Sequence, residues 1–226
     1  MERYIQIGTV NLKFNLVPHI FIAIMMLCIS PLILGVENLD SVSTAKVLEM
    51  YVALLGIVLL TPIFLPEQNK DIRDLVEAKY TSATAVYLIR ILEAGICLAI
   101  LIGSYILILK NNQCIFPEWE FFLGTLAEAL FLGGMGLCAY SLFDQIAIAY
   151  LLPMMYYIMA IGGGQKLLKD FYPFSMIYGS YQEKKLLAVI GFIMIVVGLS
   201  YPYISRKIIP RIIRPRIIRP RILDQD

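Results

Sequence analysis

The sequence holds one histidine, one tryptophan and four cysteines in 226 residues, and only 16% of it is charged. With His19 alone, neither a histidine-based catalytic set nor a histidine-rich zinc site can be assembled. Cys28, Cys97, Cys114 and Cys138 have no C-x-x-C spacing and three of them fall in apolar runs. They read as small apolar side chains rather than as a disulfide frame or metal site. No G-x-x-x-x-G-K-[ST] phosphate loop occurs: Gly162-Gly163-Gly164-Gln165-Lys166 lacks both the spacing and the closing Ser or Thr. The expectation is a chain that holds no cofactor or metal and does not hydrolyse ATP.

What is present in excess is apolar residue, at 59% with a mean hydropathy of +0.77. Soluble domains are typically ~45–50% apolar and about one quarter charged. Too little polar surface remains for a water-facing shell, so a bilayer must act as solvent. Apolar runs long enough to cross a hydrocarbon core of ~30 Å occur over 17–36, 47–65, 86–109, 121–143, 146–163 and 186–204. The fold class expected is all-α, a polytopic membrane protein of six transmembrane helices. The first run lacks a small-x-small cleavage site and reads as a retained span. Only Asp144 and Gln145 separate the fourth and fifth runs, which predicts a tight helical hairpin.

Lysine and arginine orient the spans. With both termini in the cytoplasm, thirteen of the 19 basic residues lie inside, among them Lys70, Arg73, Lys79 and the tail arginines. The loop before the last span runs against this bias, carrying Lys166, Lys169, Lys184 and Lys185. Pro31, Pro62, Pro153 and Pro202 fall inside spans or near their ends and should kink their helices. Ala129 and Gly133 give a small-xxx-small spacing suited to close helix approach.

The segment after the second span is amphipathic. Ile72, Leu75, Val76 and Tyr80 fall on one stripe, while Lys70 with Asp74 and Arg73 with Glu77 form i, i+4 pairs. Thr81 and Ser82 offer an N-cap before the third span. Such a helix lies on the membrane surface or docks into a cytoplasmic partner.

In Pro66-Glu67-Gln68, Ile72, Leu75, Val76, Lys79, Tyr87 and Arg90 the chain resembles the type-2 ATP-binding-cassette permease family. The resemblance covers roughly residues 15 to 205 as architecture, and this loop with its flanks as motif. It implies that the loop is a cytoplasmic coupling helix in which Glu67, Ile72, Asp74, Leu75, Val76, Glu77 and Lys79 meet a separate ABC ATPase subunit that binds the ATP. It further implies six spans with both ends inside, pairing with a second permease subunit (a homo- or heterodimer), and export across a bacterial cytoplasmic membrane. The family also carries short re-entrant outer helices before the last span, which Phe171-Tyr172-Pro173-Phe174 and Met176-Ile177-Tyr178 would supply.

Residues 1–205 are thus read as a permease domain and 206–226 as a basic tail. Pro210, Pro215 and Pro220 exclude a continuous helix in that tail, and its Ile/Arg mixture suits an anionic leaflet. Membrane lipids are expected partners and nucleic acid is not. Ionisable residues inside spans default to functional hypotheses. Glu93 follows Arg90 by three residues, suggesting a structural pair. Glu49 lies near the outer end of the second span, where solvation accounts for it. Glu128, about two turns into the fourth span, is the candidate for a translocation path. The alternative functions are a membrane-embedded enzyme acting on a lipid or isoprenoid-linked substrate, and a sensor or accessory subunit without a transport path.

Overall fold

The computed structural model describes residues 2–68 and 83–207. Among the described residues there are helices and connecting turns but no strand. Six helices are long and apolar enough to cross a membrane: Tyr4–Leu34, Ser41–Pro66, Ala85–Asn111, Glu118–Phe143, Ile146–Phe171 and Gln182–Tyr201. The six expected spans are all present.

The first span is longer than its apolar run. A helix over Glu2–Asn11 passes through a π-helical turn, Leu12–Leu16, into Val17–Leu34. Asn11, Lys13 and Asn15 lower the hydropathy there, yet the helix continues because Asn11 Nδ2 donates to Glu93 Oε2 of the third span at 2.7 Å. Glu93 is therefore engaged by Asn11. Arg90, expected to pair with it, instead directs Nη1 to the Ile63 carbonyl at 3.0 Å.

The second span is broken. Its first helix, Ser41–Met50, is capped by Asp40, whose carboxylate accepts from the Ser43 N–H at 3.2 Å. The chain leaves helical geometry at Tyr51 (φ −132°, ψ −56°) and resumes through a 3-10 turn, Val52–Leu54, into Leu55–Leu60 and Thr61–Gln68. The irregular backbone is surrounded by protein, with Val52 and Ala53 fully buried, as irregular backbone at membrane depth must be.

The second and fourth spans form the centre. In their most apolar windows 78% and 72% of residues are buried, against 17–28% in the other four. Small residues make this packing possible. A Cβ on Gly133 would lie 2.6 Å from the Gly56 carbonyl oxygen, and one on Gly191 would lie 2.8 Å from Phe131 Cα. The fourth span therefore touches backbone on the second span and on the sixth. The pairings advance together along each chain: Gly56 with Ala129 and Thr61 with Gly136, then Gly191 with Gly134 and Gly198 with Cys138. Spans two, four and six are thus parallel, as alternate members of a six-span bundle must be. The predicted hairpin between spans four and five is also present, with Asp144 left-handed (φ 53°, ψ 31°) and Gln145 extended.

The loops of one end are laced together. Asn38 N–H donates to the Asn112 carbonyl at 2.9 Å and Ile115 N–H to the Leu39 carbonyl at 3.1 Å. At the other end, the Phe64 and Tyr87 rings meet edge-on with centroids 4.9 Å apart. With the Arg90–Ile63 bond, this contact joins the two flanks of segment 69–82. That segment, with the expected helix residues Ile72, Asp74, Leu75, Val76, Glu77 and Lys79 and the cap residues Thr81 and Ser82, lies outside the described residues, as does 208–226 of the tail. Glu67 falls in the 3-10 stretch Thr61–Gln68.

Candidate functional site

The fifth span loses helical geometry at Gly164 (φ 58°, ψ −166°), beyond which the chain passes through 3-10 turns at Lys169–Phe171 and Met176–Tyr178. Between and within these turns Tyr172, Phe174, Ser175 and Met176 are buried. Phe174 meets Tyr157 of the fifth span edge-on at 5.5 Å and Tyr172 at 5.6 Å. The apolar residues expected to dip back toward lipid are thus divided: these pack against protein, whereas Phe171 and Tyr178 are exposed. Burial, with a smaller contribution from Tyr178, pushes the Tyr172 phenol up to about 12, so it stays neutral.

Beneath this segment three charged side chains meet. Glu128 lies ten residues into the fourth span, about 15 Å from its start by helical rise. Lys184 lies two residues into the last helix. The last span therefore begins well below the end of the fourth, and the 172–181 segment fills the space above it. Lys184 Nζ pairs with Glu49 Oε1 at 2.7 Å and with Glu128 Oε2, and it donates to the Pro173 carbonyl. Glu49 Oε1 also accepts from the Met176 N–H at 2.8 Å, and Oε2 from the Ile177 N–H at 3.2 Å. Two charged side chains thereby satisfy backbone groups of the buried segment, and hydrogen bonds to charged groups are the strong ones.

Local structure places each partner. Glu49 stands in the last turn of its helix, one residue before Met50, whose carbonyl accepts from Tyr157 Oη. The helix break thus supplies both the position of Glu49 and an anchor for the fifth span. Glu128 and Thr125, one turn apart, are fully buried, and neither Glu128 Oε1 nor Thr125 Oγ1 has a hydrogen-bond partner among the described residues.

Two expectations change here. Glu49 is not solvated but has no exposed surface, and Lys184 is 3% exposed rather than an outer-loop lysine. Both are hidden by the vertical offset of the last span. One signal pointed at Lys184: it belongs to the loop that breaks the basic-residue bias. Among the described residues no three His, Cys, Asp or Glu side chains gather as a metal site, and all four cysteines are free. Chemically, the cluster can hold a segment in place and exchange charge.

The fold and this intramembrane ion cluster define the class: a multi-pass α-helical membrane protein. No family model, curated protein or solved structure matches the chain.

Proposed function

We propose that the protein is the membrane-spanning permease subunit of an ABC transporter, paired with a second permease subunit and driven by a separate ATPase subunit. The observation that carries this reading is the contact between the two flanks of residues 69–82. Its flanks, Pro66-Glu67-Gln68 and Tyr87 to Arg90, carry the family resemblance, and Phe64–Tyr87 and Arg90–Ile63 tie them together. Spans two and three are thereby joined at the ends that lead into this charged, amphipathic stretch of sequence, which is what a coupling element requires.

A second feature supports transport. Discontinuous transmembrane helices with ionisable groups at the break are the usual material of substrate and ion sites. Here the break at Tyr51 lies beside Glu49, and Glu128 faces it through Lys184. In this reading Glu128 belongs to the translocation path and Lys184 holds that path closed. The basic-residue bias supports placing segment 69–82 and both termini in the cytoplasm, and the family resemblance implies a bacterial membrane and export. The enzyme and sensor readings have no residue set of their own, because the buried acids converge on an internal lysine.

The test is purification of the tagged protein from its native membrane in mild detergent. A nucleotide-binding ATPase subunit should co-elute at a fixed ratio with ATP hydrolysis. A homogeneous preparation with neither ATPase subunit nor hydrolysis contradicts the reading.

A further inference from the structure

We propose that the Glu49–Lys184–Glu128 cluster is a proton-binding site, with one exchangeable proton held on Glu128. The inference does not depend on the permease reading.

The donor and acceptor count makes the assignment. Lys184 Nζ donates to Glu128 Oε2 and to the Pro173 carbonyl and forms an ion pair with Glu49 Oε1 at 2.7 Å. Glu49 is paired with Lys184 and accepts from the Met176 N–H and the Ile177 N–H, a set of partners that favours the ionised carboxylate. Among the described residues Glu128 receives Lys184 alone, on Oε2, and its Oε1 is buried without a partner. Two carboxylates against one ammonium leave one negative charge inside an apolar bundle. An uncompensated charge there is strongly disfavoured, and carboxylates that share a site keep a proton for this reason. Glu128 is the one with an oxygen to carry it.

Among the described residues no other group supplies the missing positive charge. Tyr156 and Tyr157 of the fifth span and Tyr172 of the buried segment lie within electrostatic reach of Glu128, and all are phenols. Tyr181, near Glu49, also faces Glu120. Lys46 and Lys185 are exposed. An alkali cation would compete with an ammonium already seated between the two carboxylates; a proton needs no such space.

The experiment is infrared difference spectroscopy of the full chain in nanodiscs, taken between neutral and alkaline pH in water and in deuterium oxide. The parent should show a deuterium-sensitive carbonyl band of a protonated carboxyl. That band should vanish in Glu128→Gln and shift in Glu128→Asp. It should also vanish in Glu49→Gln, where one acid then balances one lysine. Replacing sodium by choline should leave it unchanged. A parent spectrum without the band, a band that survives Glu128→Gln unchanged, or one that appears only when sodium is removed would overturn the proposal. If Glu128→Gln does not fold, the Glu128→Asp shift and the Glu49→Gln loss decide the matter.

Discussion

Lys184 shows how far a single residue can be misread from its neighbours in sequence. It precedes an apolar run, follows a polar turn and has Lys185 beside it, so it resembles a lysine at the membrane surface. Its actual environment depends on where the last helix begins relative to the fourth, which no local pattern encodes. Glu128, by contrast, stood out, because an acid flanked by alanine and leucine inside a span has no other ready explanation. Removing one member of a buried ion pair leaves an unpaired charge and costs ~3–5 kcal/mol. Lys184→Ala should therefore lower thermal stability in detergent and expose the 172–178 segment to protease, while Lys185→Ala changes neither. Equal behaviour of the two variants would show that the buried cluster does not hold the segment. Glu128→Gln should preserve assembly, since an amide replaces the oxygen that lacks a partner, and alter transport if Glu128 lines the path.

At the level of the element, helix identity and number were legible because apolar length is a strong signal and Asp144-Gln145 admits only a tight turn. The Ala129-x-x-x-Gly133 spacing correctly marked close approach. It could not say that the partner is Gly56, nor that the same helix meets Gly191 on its other side. The break at Tyr51 was not legible, since Val52 to Leu60 is of ordinary apolar composition and Glu49, the one charge between Val47 and Tyr51, read as a solvated residue near the span's outer end; tertiary contacts of Glu49 and Met50 hold the break open. Overpacking a filled interface typically costs ~1–3 kcal/mol. Gly133→Leu should lower the melting temperature or prevent assembly, because its Cβ would meet the Gly56 carbonyl and Leu60. Gly95→Leu is the control, with nothing within 4 Å of an added Cβ. If the two behave alike, the close packing of spans two and four is not a stabilising feature.

For the whole molecule, the parallel order of spans two, four and six and the lacing of 35–40 with 112–117 fix which loops share an end, and the proposed orientation puts that end outside. Single cysteines at Ser41, Asn112 and Lys185 in a cysteine-free background should react with an impermeant reagent on intact cells. A cysteine at Arg73 should react only after permeabilisation. Ready labelling of position 73 from outside contradicts the orientation. The functional account then rests on the 69–82 segment, whose apolar stripe is where binding energy to a partner would concentrate; truncating an anchor commonly costs ~2 kcal/mol or more. The direct measurement compares the parent with a Leu75→Ala, Val76→Ala double variant at equal membrane level, reading ATPase co-purification and substrate-stimulated hydrolysis. The account predicts that the variant inserts normally but loses the ATPase subunit or the stimulation. A double variant that retains both at the parental level contradicts the assignment of this segment as the coupling helix.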